Sequence, residues 1–167
     1  DWSSDVCLPI SDLDHFKSIN DRFGHAVGDH VLQVFASVAA AKLGPCDLIG
    51  RLGGEEFAMV LYDASRDKGL AIAERIRLSF EGAAGDVQGR PVGATVSMGI
   101  VVAEEGVLDV PALLAQADEA LYYAKERGRN RIEVASLQLV LDRAQQAAAR
   151  SAAIAGPMPV PTPIPAA

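Results

Sequence analysis

Short apolar segments alternate along this chain with longer segments in which apolar residues recur every three or four positions. The short segments are rich in β-branched and aliphatic residues, as buried strands are, and the longer segments have the periodicity of amphipathic helices. Strands are predicted at residues 6–10, 47–52, 55–61, 92–102 and 131–135, and helices at 29–43, 64–80 and 110–127. The polar stretch 11–25 is predicted to be irregular.

This order predicts an α/β (α+β) sandwich in which a βαββαβ unit is followed by one more helix and one more strand. Half of the 167 residues are hydrophobic but only 5% are aromatic, so aliphatic side chains must fill the core. We expect one domain over residues 1–135, an Ala- and Gln-rich segment with helical composition over 136–155, and a disordered proline-rich tail over 156–167. Because the chain starts with Asp1 rather than Met, we expect a fragment or a mature form of a longer protein, with a domain that is truncated at its N-terminus.

The charge balance excludes some classes of partner. A net charge of −7 and a sequence pI of about 4.9 argue against a general binder of nucleic acids or anionic membranes, since phosphate groups attract positively charged surfaces. A small phosphorylated ligand remains compatible, because a few local cations and a metal ion can hold it. No apolar stretch approaches the ~18–20 residues of a transmembrane helix. The two cysteines are too few for a disulfide framework.

Three segments concentrate the residue types that carry chemistry. Asp12 follows the first predicted strand, at the edge of the sheet where ligands of α/β proteins bind. Residues 53–56 place two glutamates beside a Gly-Gly pair, whose positive φ angles suit a two-residue hairpin turn. Residues 125–131 form a basic cluster at a helix end. Hard divalent cations take carboxylate oxygens, so Asp12 with Glu55 and Glu56 would suit Mg²⁺ if the hairpin lies beside the first strand.

Each segment also has a simpler interpretation when it is taken alone. An aspartate after a strand is commonly a turn or cap residue, and two glutamates after a Gly-Gly pair commonly form a solvated hairpin. Cations in the last turn of a helix stabilise the helix macrodipole without any ligand. Taken one at a time, the segments therefore leave both interpretations open.

Together, the three segments resemble the GGDEF domain of diguanylate cyclases. The family's signature corresponds to Gly53-Gly54-Glu55-Glu56-Phe57, with glutamate at its third position. The pattern Asp-x-Asp-x-Phe-Lys-x-x-Asn-Asp-x-x-Gly-His-x-x-Gly-Asp runs unbroken from Asp12 to Asp29. Later matches are Thr95-Val96-Ser97-Met98-Gly99, the helix from Ala117 to Tyr122, and Lys125 with Gly128-Arg129-Asn130. The resemblance covers residues 6–134.

The resemblance implies a palm-like, nucleotidyl-cyclase-like sheet that condenses two GTP molecules into cyclic di-GMP with release of pyrophosphate, in bacterial second-messenger signalling. It implies two Mg²⁺ ions per active site, with Mn²⁺ as a substitute, held by Asp12, the carbonyl of Leu13, Glu55 and Glu56. One of the paired glutamates is the implied catalytic proton acceptor, and Glu56 is favoured over Glu55. The alternative is a catalytically silent regulatory module that binds GTP. Such modules generally have eroded signature, metal-binding or base-reading residues, whereas all of these residues are present here.

The resemblance also implies a substrate pocket. Asn20 and Asp29 match guanine-binding positions, which suits this base because its N1–H and N2–H₂ groups are donors that a carboxylate accepts together. His25 belongs to the same pocket. Further implied substrate contacts, to phosphates or through the hairpin, are Phe16, Lys17, Arg51, Gly53, Gly54, Lys125 and Arg129.

Catalysis in this family implies a homodimer, because each chain carries one site and the product joins two GTP molecules. We also expect an upstream sensory or regulatory domain, a cytoplasmic location, and no contact of this domain with nucleic acid or membrane; a membrane anchor further upstream remains compatible. Many family members carry an Arg-x-x-Asp product-inhibition site, which here is Gly44-Pro45-Cys46-Asp47 and lacks the arginine. Pro9 removes a ladder donor from the first strand, and we expect it to distort the strand near Asp12.

Overall fold

The computed structural model describes residues 5–103 and 109–136, and all of these except Ser136 belong to one compact unit. The predicted segments 136–155 and 156–167 lie, apart from Ser136, outside the described residues. No helix in the described ranges is long and apolar enough to cross a membrane.

The described residues form a five-stranded sheet and four helices. The strands are β1 (Val6–Leu13), β2 (Leu48–Gly53), β3 (Glu56–Tyr62), β4 (Val96–Ala103) and β5 (Ile132–Val134). The helices are α1 (Phe16–Phe23), α2 (His25–Ala40), α3 (Arg66–Ala83) and α4 (Val110–Glu126). The strand order is β2-β3-β1-β4-β5, in which β5 is parallel to β4 and the other neighbouring pairs are antiparallel. The expected α/β sandwich is confirmed, with β1 at the centre of the sheet.

Helix α4 covers one face of the sheet. Leu8 and Ile10, which are alternate residues of β1, pack with Ala117 and Leu121 of this helix. The helix lies very close to the sheet at Gly99 of β4, where a Cβ atom would collide with the backbone of Ala117 and Leu121. This close approach fixes the end of α4 near the end of β1.

The larger core, on the opposite face, contains four buried phenylalanine rings, three of which contact one another. The ring of Phe35 in α2 lies 4.8 Å from the ring of Phe57 in β3 and 5.2 Å from that of Phe80 in α3, centroid to centroid. Tilted and edge-to-face pairs at these distances stabilise a core beyond the apolar area that they bury. They hold α2 and α3 against β3, and thereby fix the hairpin formed by β2 and β3.

The prediction that residues 11–25 are irregular is wrong, because this segment contains the end of β1, all of α1 and the start of α2. Only Phe16 and Ile19 of α1 are buried, so an eight-residue helix offers little periodicity to read. Helix α2 begins at His25, four residues before the predicted start, directly after Gly24 with its φ of +88°. Strand β4 begins at Val96 rather than at 92, because Gly93 takes a left-handed conformation with φ of +66°.

The turn between β2 and β3 is Gly54-Glu55, not the predicted Gly53-Gly54. Gly53 is the last residue of β2, and the pairing register shifts between Arg51 and Gly53. Gly54 supplies the left-handed conformation, with φ of +52°. Glu55 therefore lies in the turn, and Glu56 is the first residue of β3.

The expected distortion of β1 by Pro9 is not found. Strand β1 pairs with β4 without interruption from Val6 to Leu13. Its pairing with β3 is interrupted at Leu8 and Pro9 and resumes at Ile10 in the same register. The missing donor thus affects only the β3 side, and the ladder is intact on both sides at Asp12.

Candidate active site

Asp12 is a buried carboxylate near the end of the central strand. It lies opposite Glu56 of β3 and Ser97 of β4 in the sheet register, so these three side chains share one face. Lys125, in the last turn of α4, places Nζ 2.8 Å from Asp12 Oδ2. The side chain of Asp12 is 11% exposed and that of Lys125 is 32% exposed. A candidate metal ligand and a candidate phosphate contact are thus joined in one ion pair.

The turn between β2 and β3 lies beside the end of β1. The backbone N–H of Leu13 donates to the carbonyl of Glu55 over 3.3 Å. Arg51 braces the turn from β2, where its Nε donates to the carbonyl of Gly54 over 2.9 Å. The structure therefore brings the predicted metal-binding residues Asp12, Leu13, Glu55 and Glu56 to one end of the sheet.

Burial raises the pKa of Asp12 above its ordinary value of 3.8, because desolvation disfavours the charged form. The hydrogen bond and the charge of Lys125 lower this pKa, whereas the charges of Glu55 and Asp14 raise it. The net direction is upward, so Lys125 alone does not compensate the burial of the carboxylate. A further cation beside Asp12 and Glu55 would therefore be stabilised.

The donor set at this end of the sheet fits a hard divalent cation. Asp12 and Glu55 supply carboxylate oxygens, and Leu13 supplies a backbone carbonyl. Mg²⁺ commonly takes one or two protein carboxylates and completes its octahedron with water and phosphate oxygens. In residues 5–103 and 109–136, no group of three or more His, Cys, Asp or Glu side chains is gathered around one metal position. Phosphate oxygens and water would have to supply the remaining ligands.

Asn20 of α1 carries a buried oxygen, Oδ1, without a hydrogen-bond partner in the described part of the chain. Its amide packs against Gly28 of α2, where a Cβ atom would collide with this oxygen. Asp29, which follows Gly28, is exposed. A buried acceptor without a donor costs free energy that a ligand with suitable donors can recover. The junction of α1 and α2 therefore suits a ligand with adjacent N–H groups.

A cavity of about 560 Å³ lies beside Asp29, between α2 and the hairpin of β2 and β3. Its lining includes Asp29 and Gln33 of α2, Gly50 and Arg51 of β2, and Phe57 of β3. Asp29 and Arg51 are predicted substrate contacts. Gln33 and Gly50 were not predicted, because their position depends on how α2 packs against β2. A volume of this size lies within the usual range for small-molecule sites.

The remaining predicted contacts lie on the surface around this end of the fold. Lys17, His25 and Arg129 are exposed, and among the described residues none of them forms a hydrogen bond or ion pair with the carboxylate cluster. Phe16 and Lys17 begin α1, whose N-cap His15 has a φ of +55° and gives no side-chain hydrogen bond. The first amides of α1 are thus left without a side-chain cap, a geometry that suits an anion.

Asp14 is a structural carboxylate that sequence reasoning missed. It is 4% exposed, and it accepts hydrogen bonds of 2.7 Å from both Thr95 Oγ1 and Ser97 Oγ. The backbone N–H of Asn130 donates to it over 3.0 Å. Two features of the sequence could have indicated the contact of Asp14 with β4. Hydroxyl residues alternate at 95 and 97, and a second aspartate, Asp14, follows β1.

In the segment Gly44-Pro45-Cys46-Asp47, which stands where many family members have Arg-x-x-Asp, the Asp47 carboxylate forms structural hydrogen bonds with the backbone. Asp47 accepts hydrogen bonds from the backbone N–H of Gly44 over 2.8 Å and from that of Tyr62 over 2.9 Å. The carboxylate therefore holds the turn before β2 against the end of β3.

The central antiparallel strand, the acidic cluster at its end and the helices on both faces define a palm-like domain of the nucleotidyl-cyclase type. The family model for the diguanylate cyclase GGDEF domain matches residues 3–131. The chain therefore belongs to the GGDEF domain family.

Named relatives and solved structures agree with this assignment. Over 130 residues the chain is 42% identical to the probable diguanylate cyclase DgcT of Escherichia coli K12. The matched region is 77% of this chain and 29% of DgcT. It is similar to the GGDEF domain of DgcB from Caulobacter crescentus, solved in complex with c-di-GMP (33% identity, TM-score 0.74, 79% of this chain and 78% of that one). It is also similar to the active GGEEF domain of a Vibrio cholerae diguanylate cyclase (32% identity, TM-score 0.73, 80% and 84%). The chain spans less than a third of the length of DgcT.

Proposed function

We propose that this chain is a diguanylate cyclase, which condenses two GTP molecules into cyclic di-GMP and releases two pyrophosphates. The observation that carries the proposal is the meeting of Asp12, the Glu55-Glu56 pair and Lys125 at the end of the central strand. Carboxylates that hold metal ions and a cation that contacts phosphate are what a nucleotidyl transfer needs at one point. The names of the relatives support the same activity.

Guanine is bound at the junction of α1 and α2. Its N1–H and N2–H₂ groups donate to the carboxylate of Asp29 and to Oδ1 of Asn20, the buried acceptor that has no partner within the described residues. Adenine offers no such pair of donors, so these acceptors select the base. His25, at the start of α2, contributes to the same pocket.

The phosphates lie between the uncapped start of α1 and the end of α4. Lys17, Lys125 and Arg129 supply positive charge, and the first amides of α1 near Phe16 donate to phosphate oxygens. Asp12, the Leu13 carbonyl, Glu55 and Glu56 would hold two Mg²⁺ ions. When bound, the ions supply activation of the 3′-hydroxyl and neutralise charge on the α-phosphate and the leaving pyrophosphate.

Glu56 is the proton acceptor. It lies opposite Asp12 in the sheet and is exposed at the start of β3, whereas Glu55 lies in the turn beside Leu13. As O3′ of one GTP bonds to the α-phosphorus of the other, the hydroxyl proton passes to the Glu56 carboxylate and the bond to pyrophosphate breaks. Arg51 and the glycines of the turn keep Glu55 and Glu56 in place.

Each chain binds one GTP, and the product has two phosphodiester bonds related by a two-fold axis. Two GTP-loaded copies therefore meet face to face, and each 3′-hydroxyl reaches the α-phosphate held by the other copy. The whole protein carries an upstream sensory or regulatory domain that controls this encounter, and it acts in the cytoplasm, where GTP is available. That the chain spans 29% of DgcT supports the presence of further domains.

The test is to incubate the 167-residue chain with Mg²⁺ and GTP and to identify the product by mass. The expected result is cyclic di-GMP with two pyrophosphates, absent for Glu56→Gln. The Asn20→Ala variant should bind GTP with a binding free energy that is weaker by about 1–3 kcal/mol, because guanine donors then lack a partner. The weak binding of ATP should change little. GTP that is bound but never converted would make the chain a regulatory GTP-binding module. No GTP binding would refute the proposal.

A further inference from the structure

The segment that follows α4 has an unusual backbone. Gly128, Arg129 and Asn130 have φ angles of +116°, +62° and +45°, so two consecutive side-chain-bearing residues are left-handed. The turn closes the helix, since the N–H of Arg129 donates to the carbonyl of Ala124 over 3.0 Å. Residues other than glycine adopt this conformation at a cost, and they persist there only when the surroundings fix them. Something outside the turn must therefore hold it.

Asn130 is the residue through which the turn is held. Its backbone N–H donates to Asp14 Oδ2 over 3.0 Å. Its side-chain oxygen accepts a hydrogen bond of 2.7 Å from Arg77 Nη1 of α3, and its side-chain nitrogen donates to Glu81 Oε1 over 3.0 Å. The N–H and both side-chain polar atoms of Asn130 are thus bonded, to Asp14 just after β1 on one side and to α3 on the other.

The partners of Asn130 are themselves fixed. Arg77 donates to both carboxylate oxygens of Glu74, over 2.9 and 2.7 Å, and to Glu81 over 3.1 Å. The Arg77 side chain is 12% exposed, whereas those of Glu74 and Glu81 are 44% and 45% exposed, so these contacts fix the guanidinium group by their geometry rather than by burial of the carboxylates. Asp14 is held in turn by two hydroxyl groups of β4. A continuous polar network therefore runs from α3 through Asn130 to the end of β1.

The side chain of Arg129, unlike that of Asn130, has no partner in the described part of the chain. Among the described residues, no hydrogen bond or ion pair involves its guanidinium group, and the residue is exposed. Its backbone is fixed by the hydrogen bond to Ala124 and by the anchored neighbour Asn130. The turn therefore carries, on a fixed backbone, a cation that is unpaired within residues 5–103 and 109–136 and lies four residues beyond Lys125.

We propose that Asn130 is a positioning residue, which with Arg77 and Asp14 holds the left-handed turn so that Arg129 is preorganised to contact the phosphates of the nucleotide. The inference rests on the proposed function, because it takes the ligand to be GTP. A cation on a fixed backbone loses less conformational freedom on binding than one on a mobile segment. Asn130 touches no ligand, and its effect passes through Arg129.

Asn130→Gly is the variant that tests this role. Glycine adopts a positive φ without strain and keeps the backbone N–H that donates to Asp14, so only the link to α3 is removed. Arg77→Met removes one of the two bonds of this link, the one from Arg77 Nη1 to Asn130 Oδ1, and leaves the bond to Glu81. The matched control is Arg127→Met, in the same segment, whose guanidinium pairs with Glu133 over 2.9 Å and does not belong to the network.

The measurement is calorimetric binding of a non-hydrolysable GTP analogue and of guanosine, which lacks phosphates, to the full chain. We expect Asn130→Gly to bind the analogue on the order of tenfold more weakly and guanosine with unchanged affinity. Arg127→Met should bind both ligands as the wild type does. The double variant Asn130→Gly/Arg129→Ala should bind the analogue no more weakly than Arg129→Ala alone, since Asn130 acts through Arg129.

Equal losses for the analogue and guanosine would show a merely structural role for Asn130 and would overturn the inference. The inference would also be overturned if the affinity of the double variant for the analogue fell by the product of the two single-variant factors. An Asn130→Gly variant that binds the analogue as tightly as the wild type would overturn it as well. In each of these cases the wild type still binds the analogue, and the proposed function stands. If the wild type binds neither ligand, the proposed function and this inference fail together.

Discussion

Asp12, Asn20 and Lys125 carry polar groups that the fold compensates incompletely within the described residues. Burial raises the pKa of Asp12, and Asn20 Oδ1 is buried without a partner in the described part of the chain. Lys125 lies against a carboxylate that it does not fully compensate. Each arrangement costs the folded protein some free energy, as is common where a site must bind charged substrates. Replacing such a polar group should therefore weaken ligand binding and raise the stability of the folded protein.

Asp12→Asn should abolish turnover and at the same time stabilise the protein at neutral pH. A carboxyl whose pKa is raised by folding contributes stability while it is protonated, and this contribution is lost as the pH rises through the folded-state pKa. At neutral pH the variant should melt roughly 2–4 °C above the wild type, measured in EDTA. The difference should shrink as the pH falls toward 4. The exposed substitution Asp118→Asn serves as the control, and a variant that melts below the wild type at pH 7 would contradict the expectation.

Lys125→Met should bind Mn²⁺ more tightly than the wild type when no nucleotide is present. The ammonium group 2.8 Å from Asp12 competes with a metal ion for the same carboxylate. Removing it should raise the affinity about fivefold, the equivalent of about 1 kcal/mol for a partly exposed pair. Electron paramagnetic resonance of free Mn²⁺ measures this directly.

The same Lys125→Met variant should bind GTP more weakly, because the proposed contact of Lys125 with phosphate is lost. Lys68→Met is the control, since Lys68 Nζ donates to the carbonyl of Asp63 away from the site. Weaker Mn²⁺ binding by Lys125→Met would show that the lysine assists the metal rather than competing with it.

At the scale of elements, the position of α4 depends on the absence of a side chain at Gly99 of β4. Gly99 of β4 allows the backbone of Ala117 and Leu121 to approach the sheet, and the last turn of the helix then brings Lys125 to Asp12. The hairpin of β2 and β3 is held independently, by the rings of Phe35 and Phe57. The two sides of the site therefore depend on different packing contacts.

Gly99→Ala should lower the free energy of unfolding by about 1–3 kcal/mol, because the added methyl group meets helix backbone that cannot move aside. The displaced helix should also weaken GTP binding. Gly50→Ala in β2 is the matched control, since a Cβ atom there meets nothing within 4 Å. Urea unfolding of both variants measures the difference. Equal stability of Gly99→Ala and the wild type would show that α4 shifts without cost.

What could be predicted from the sequence depended on how close together the interacting residues lie along the chain. Strand β1, the glutamate hairpin, α3 and α4 were found because their patterns are local. Helix α1 was missed because only Phe16 and Ile19 mark its buried side. The bonds from Asn130 to Asp14 and to Arg77, 116 and 53 residues apart, follow from tertiary packing, which local patterns do not contain.

At the scale of the whole molecule, turnover should require two copies of the chain. Each copy has one Asp12–Glu55–Glu56 cluster, and the net charge of −7 opposes association of identical copies. The specific activity should therefore rise with enzyme concentration, and it should reach a plateau when a dimeric coiled coil is fused before Asp1, which raises the effective concentration. Initial rates across a dilution series test this. A constant specific activity in a protein that remains monomeric by light scattering during turnover would exclude the requirement.

The strand order β2-β3-β1-β4-β5 also has a consequence for the kinetics of folding. Among the five strands described, only β2 and β3 are joined by a short turn. Strand β1 must pair with strands that lie far along the chain, as the bond between Asp14 and Ser97, 83 residues apart, illustrates. The entropy cost of closing such long loops arises before the stabilising contacts form. Sheets of this kind therefore fold slowly compared with helical bundles. During synthesis the hairpin with its two glutamates can form early, but Asp12 reaches its ion pair only after α4 has left the ribosome. A partly synthesised chain therefore carries the signature motif without a working site.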